Sequence, residues 1–505
     1  MENGLGVALY RGQHVFAFYR MNKVHQCQNR FVARGESVPG CPVWGLSDGW
    51  LPARVEEEFD AVGFDQADPN TWVAVRFDQC FWDPMLDEGV EVRDRIKPCQ
   101  IRTEPPPRPQ LSFVSVRYCD HWTGNSSAAL DWNCMSEYLN SGLQDGVAGA
   151  FDSLGPCYEV WTAFVRGSQD LYALANDVAA LEASLKGVHR GLGFYLWPSQ
   201  QADGEDGYVD EVAAFRFMRA CENVGVPLRF PTTSVDFYRQ LCGKLWVATM
   251  STNPVLRVLP TVRVLRGDVM LDPRGAAERV LRQLSTGGKR FEGVVKAGFS
   301  WMGMDVHSFD GVEELVFKLQ KACRLGMPRA VVQSVLVQPR VAKVAELRHL
   351  VFRDANGLRV EAVYMVVDTR KDFELPLTTA RAHDAATVTA AVFGGDCALR
   401  QRTEKAAREL TVRWCRWAEA EAGGAPAVLR VDYLLQADGA LWTCEVTEGG
   451  GSLCGLHPEL RNRAVLRSCL ADHPCGATGS CCVAPLDLPT TRWLGTSFGR
   501  PGGSG

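Results

Sequence analysis

No apolar run in the 505 residues approaches the ~18 needed to cross a bilayer, so the chain is not expected to span a membrane. There is no long block of lysine and arginine, and the net charge is −5, which gives no electrostatic footprint for nucleic acid. The opening MENGLGVALYRGQHVF has neither a basic start nor a long apolar core and is not read as a secretory signal. The 18 cysteines include no C-x-x-C pair, and most fall inside apolar segments such as MRACENVG, RQLCGKLW and RWCRWAEA, where they read as small hydrophobes. Only Cys475–Cys482, in HPCGATGSCC, cluster. No disulfide framework is indicated, and the expected compartment is the cytoplasm. The phosphate-loop pattern G-x-x-x-x-G-K-[ST] is also missing, which excludes the commonest nucleotide cradle.

The composition is that of a globular protein with substantial cores: 46% hydrophobic and 22% charged, in a length that suggests about three domains. RTEPPPRPQ marks a proline-rich linker over 102–110. Before it, residues 1–101 carry short strand-like segments (HVFAFYRM, RFVARG, GWLPARVEEEF, TWVAVRFD) separated by turn signals, which predicts a small β-barrel domain. Over 111–240, strand-like and helix-like segments alternate: LSFVSVRYC, YEVWTAFV and LGFYLWPS each precede an amphipathic stretch. Such alternation predicts an α/β domain with a largely parallel sheet. A longer α+β section follows over 241–470, then a Gly/Pro/Ser-rich tail over 471–505.

Chemistry concentrates in the α+β section. RVDYLLQADGALWTCEV reads as a hairpin with Gln-Ala-Asp-Gly at the turn. Pairing its strands brings Asp432 and Glu445 together, and two such carboxylates repel unless a cation or proton lies between them. They are candidate metal ligands. In FEGVVKAGFSWMGMDV an apolar strand delivers Lys296, and the loop after it holds Gly298, Ser300 and Gly303, a combination suited to polyphosphate. AVVQSVLVQP is expected to break at Gln333. AELRHLVF then begins a strand with Glu346 and Arg348, and RQLCGKLW reads as a helix carrying Lys244, followed by Pro260-Thr261 and a strand.

In that order, residues 230–452 resemble the ATP-grasp superfamily, and 111–240 would be the α/β domain that precedes the grasp. The resemblance implies a nucleotide held between two α+β subdomains. Lys244 and Lys296, with Ser300 and Gly303 of the loop, would meet its phosphates; Gln333, Val335 and Leu336 would meet adenine; Glu346 would face the ribose. Asp432, Glu445 and Thr447 would hold Mg²⁺, two ions being expected, while Arg430 and Arg348 would stabilise the transferred phosphoryl group. The implied activity is an ATP-dependent ligase joining a small-molecule or peptide carboxylate to an amine through an acyl phosphate. A small-molecule kinase or a nucleotide-binding scaffold of weak activity are the alternatives. Thr447 stands where the family usually has Asn; its hydroxyl can still coordinate Mg²⁺ or orient a water. Residues 1–101 lie outside the resemblance. Their VWGLSDGWLPARV and TWVAVRFD segments resemble Tudor- and chromo-like barrels, which would supply a docking surface for a protein partner.

Overall fold

The computed structural model describes residues 8–20, 22–23, 26–27, 30–34, 43–59, 71–83, 88–118, 157–165, 167–193, 211–230, 232–242, 244, 246–284, 291–297, 306–324, 334–354, 357–366, 385–422 and 428–448. The longer elements are, in chain order, β1 (His14–Arg20), β2 (Val43–Val55), β3 (Val73–Asp83), β4 (Glu88–Ile96), β5 (Leu111–Tyr118), β6 (Tyr158–Val165), α1 (Ser168–Ser184), β7 (His189–Gly193), α2 (Glu211–Asn223), β8 (Leu228–Phe230), α3 (Val235–Cys242), α4 (Trp246–Met250), β9 (Val262–Leu265), α5 (Arg266–Leu271), α6 (Pro273–Leu284), β10 (Glu292–Ala297), β11 (Val306–Asp310), α7 (Gly311–Arg324), β12 (Ser334–Pro339), β13 (Ala345–Asp354), β14 (Gly357–Val366), α8 (Ala385–Phe393), α9 (Cys397–Glu421), β15 (Val428–Leu435) and β16 (Leu441–Glu448). No described helix is long and apolar enough to cross a membrane.

The first sheet has ten strands and runs β8-β7-β5-β6-β2-β1, ending on Ile101–Arg102, with β3, β4 and the short Val32–Ala33 attached through β2. β5, β6, β7 and β8 are mutually parallel, as the alternation of segments requires. α1 covers this part because Leu171, Leu174, Val178 and Leu181 recur at helical spacing and are all buried. Together with α2 they close one core, into which Trp44 and Trp161 also project.

The expected small barrel over 1–101 is corrected here. Among the described residues no closed barrel forms; instead β2 pairs antiparallel with β6, from Val160↔Asp48 to Phe164↔Val43. The amino-terminal strands and the α/β strands thus share one hydrogen-bonded sheet. The end of the proline-rich segment joins it too, since Pro109 O accepts from Val188 N and Gln110 N donates to Cys157 O. A buried ladder of Ser47, Thr162 and Ser115 hydroxyls crosses the β2–β6–β5 seam at 2.8 and 3.0 Å.

Two four-stranded sheets follow. One, β9-β12-β10-β11, is backed by α6 and α7 over a core that includes Val280, Leu315, Val335 and Val337. The other, β14-β13-β15-β16, is backed by α9, which starts on Asp396, whose Oδ1 accepts from Leu399 N, and buries Ala407, Leu410, Trp414 and Ala418. β12 serves both cores: Val335 and Val337 face one, Leu336 the other. Cys221, Cys323 and Cys415 are buried free thiols, in keeping with their reading as small hydrophobes.

Candidate active site

Asp432 and Glu445 lie close together, as the hairpin pattern predicts, and a register slip after Asp432 makes them direct cross-strand partners on β15 and β16. The turn between them is closed by Gly439, at φ 84°, with Gln436 N donating to Ala440 O. Period-two alternation puts Arg430 on the face of Asp432, and its guanidinium donates to both Asp432 oxygens at 2.9 Å. Arg348, opposite Asp432 on β13, brings Nε to 3.6 Å of Asp432 and Nη2 to 3.7 Å of Glu346. Lys343 pairs with Glu346 from the stretch before β13. Lys244 Nζ lies 3.2 Å from Glu445 Oε1, and Arg430 Nη2 lies 3.7 Å from its other oxygen.

Lys296 arrives from the neighbouring sheet, at the end of β10, and its Nζ reaches Cys444 Sγ at 3.8 Å. Among the described residues it meets no carboxylate. Among the described residues the cluster's cations, Lys244, Lys296, Lys343, Arg348 and Arg430, outnumber Glu346, Asp432 and Glu445, and such an excess of positive charge favours an anion. Burial raises the Glu445 carboxyl, but Lys244, Arg430 and Lys296 outweigh it and hold it down at about 2. For Asp432 burial prevails and pushes it up, against the pull of Arg430 and Arg348. Thr447, opposite Arg430, is 5% exposed, and its Oγ1 has no partner among the described residues.

Several expectations shift. Lys244 is not on a helix: it caps α3 in the left-handed region at φ 50°, its N–H bonded to Leu241 O. Gln333 and the break expected there lie outside the described residues, which take up the strand of Val335 and Leu336 at Ser334. It runs Ser334–Pro339, and the irregular stretch starts at Arg340, whose N–H still donates to Glu292 O of β10 at 3.0 Å. Val335 is buried in a subdomain core and Leu336 in the adjoining one. Ser300, Gly303 and the rest of the 298–303 loop also lie outside the described residues.

Three residues escaped the sequence reading. Gln338, 1% exposed, donates from Nε2 to Thr261 Oγ1 at 2.8 Å, while its Oε1 meets no partner among the described residues. Nothing in the apolar pattern around it distinguishes it from Gln333. Lys343 was foreshadowed by its spacing from Glu346. Cys444 reaches Lys296 where the register slips between Asp432 and Tyr433: Glu445 faces Asp432, but Thr443 faces Tyr433, leaving Cys444 as an extra residue beside Glu445.

On the other face of this sheet the central polar groups are neutral and closed off. His349 Nδ1 and Tyr433 Oη each lie 2.7 Å from Thr411 Oγ1 of α9. Burial, reinforced by Arg408, lowers the His349 imidazole to about 3, so it is neutral at pH 7. Trp414 Nε1 donates to Thr443 Oγ1 at 3.0 Å, and that hydroxyl donates to Leu256 O at 2.8 Å.

No protein-family model matches the chain, and no curated protein matches it. Solved structures do. D-cycloserine synthetase shares 18% identity over 71% of this chain and 99% of its own, with a TM-score of 0.44. For the D-alanine–D-alanine ligase of Bacillus anthracis the figures are 13%, 72%, 98% and 0.40. For D-alanyl-alanine synthetase A of Vibrio cholerae they are 10%, 72%, 100% and 0.44. These likenesses are distant, and the chemistry of the site rests on its own side chains.

Proposed function

We propose that the chain is an ATP- and Mg²⁺-dependent ligase that joins a carboxylate to an amine. The observation that carries this is the directly opposed pair Asp432 and Glu445 set among cations from both four-stranded sheets. A triphosphate entering this cluster meets Lys296 from β10 and Lys244 from the end of α3. Phosphate oxygens compete with the carboxylates for Lys244 and Arg430, which releases carboxylate oxygens for a divalent ion. No group of three or more His, Cys, Asp or Glu side chains among the described residues could hold a metal unaided. That suits Mg²⁺, which takes one or two carboxylates and completes its shell with phosphate and water. Asp432 and Glu445 would hold it, with the Thr447 hydroxyl as a further oxygen, and the ion would offset charge on the transferred phosphoryl group.

The base is assigned to Gln338. Its Nε2 is committed to Thr261, so only its acceptor oxygen is left for a ligand, and an exocyclic amino group such as adenine's satisfies it. Glu346, held by Lys343, would face the ribose. In the reaction a substrate carboxylate oxygen attacks the γ-phosphorus, ADP leaves, and the acyl phosphate is attacked by an amine nitrogen with loss of phosphate. Arg430 and Arg348 steady the charge on the moving phosphoryl group.

The test is ADP release from MgATP, screened with carboxylates and amines singly and in pairs. Release that requires both substrates is expected. Glu445→Gln should lower it about a thousandfold, on the order of 4 kcal/mol. Release with an alcohol alone, yielding a phosphorylated product, would make the protein a kinase. Tight MgATP binding with no turnover would make it a sensor.

A further inference from the structure

Between α3 and β9 the chain makes a detour that the site depends on. Two non-glycine residues among those described have positive φ, Lys244 and Arg257, both at 50°. They bracket the segment that carries α4. L-residues enter this region at a cost, and they stay there only where the surroundings impose it. At Lys244 the conformation turns the chain out of α3 and sends the side chain to Glu445.

What imposes it at the other end is Thr443. Its backbone N–H donates to Arg257 O at 2.8 Å and its hydroxyl to Leu256 O at 2.8 Å, while Val258 forms a parallel bridge to the same residue. The hydroxyl also accepts from the Trp414 indole, which fixes its lone pairs and leaves its proton for Leu256. Thr443 is 1% exposed and Trp414 fully buried, so this junction has no water to replace a lost bond. Arg413 adds a bond from α9 to Val255 O at 3.1 Å, and the Asn253 side chain accepts from Val255 N at 3.0 Å. Thr443 also sits two residues before Glu445 on β16, next to the register slip. One residue therefore ties down both the strand that bears the carboxylate and the segment that bears its lysine.

We infer that Thr443 is a positioning residue that sets Lys244 against Glu445 by clamping Leu256 and Arg257. The inference rests on the nucleotide reading above only for its effect on binding. Its structural half stands on the clamp itself.

Hydrogen–deuterium exchange on the nucleotide-free full chain reads that half. Thr443→Val keeps the shape and removes the hydroxyl, and should speed exchange over 246–258 about tenfold while α9 and β15 stay protected. Thr443→Ser should restore protection, and Trp414→Phe should lie between. Unchanged exchange over 246–258, or an equal rise across α9, would overturn the clamp. MgATP titration reads the functional half: Thr443→Val should weaken binding about tenfold, and in a Lys244→Ala background it should weaken it no further. Additive losses would overturn the coupling to Lys244. If the unaltered protein binds no MgATP, the nucleotide reading falls and the exchange experiment alone decides the clamp.

Discussion

The two faces of the sheet β14-β13-β15-β16 are built from the same strands and obey opposite rules. On one, Arg348, Arg430, Asp432 and Glu445 carry full charges, and with Glu346, Lys244, Lys296 and Lys343 beside them the described cations outnumber the carboxylates. On the other, neighbours of these same residues, His349, Tyr433 and Thr443, are neutral and satisfied by Thr411, Trp414 and Leu256. Alternation along a strand makes such a division possible at single-residue resolution. The neutral face contributes a rigid support, and the charged face keeps interactions in reserve for a ligand. A satisfied network stabilises the free protein, whereas an unbalanced one stabilises a complex.

Breaking the ionic side from within should produce the largest effect. Arg430→Leu strands Asp432 without its bidentate partner, and chemical denaturation should show a loss of about 3–5 kcal/mol. A loss near zero would mean that Asp432 takes up a proton and is at ease without arginine.

Acid unfolding separates the faces by pH. The His349 imidazole is lowered in the folded protein, so stability is complete above about 6.5 and falls as the unfolded chain protonates, down to about 3. Glu445 is lowered as well; its contribution is present above about 4.5 and is lost toward about 2. His349→Gln should flatten the slope of stability with pH between about 4.5 and 6.5, where Glu445 does not titrate, and Glu445→Gln only below about 4.5. One variant flattening both would show that the faces titrate as a unit.

Lys296→Ala should weaken MgATP binding by about 1.5–3 kcal/mol in calorimetric titration, with little change in melting temperature, because among the described residues Lys296 forms no direct ion pair and meets only Cys444 Sγ at 3.8 Å. The smallest effect is at the α3 cap. Lys244→Gly and Lys244→Ala should lose nucleotide affinity equally, but the glycine variant should be more stable by about 1 kcal/mol, since φ 50° suits glycine.

The nearness of Asp432 and Glu445 was legible from the hairpin, but their direct pairing was not: the register set by the turn would put Asp432 opposite Cys444, and the slip after Asp432 brings Glu445 there instead. The parallel strands β5, β6 and β7 were legible through their alternation with amphipathic segments. Gln338 was not, since two glutamines flank one apolar strand and only hydrogen bonding decides where the ladder ends. Cys444 owes its place to a register slip, which leaves no trace in hydrophobic patterning. The φ of Lys244 is set by the path of the chain beyond α3, and lysine has no intrinsic preference for it. The pairing of β2 with β6 joins strands far apart in the chain, and apolar alternation marks a strand without naming its neighbour.

That pairing has a consequence for how the protein is made and divided. As synthesis proceeds from the amino terminus, β1, β2, β3 and β4 can form local hairpins early, but one edge of β2 finds its partner only after β6 has emerged. Until then it is an open strand edge, the kind that chaperones cover and that aggregates grow from. A fragment beginning at residue 111 would carry the complementary fault, with the β6 edge bare. The proline-rich stretch, for all its resemblance to a tether between independent modules, is a poor place to cut.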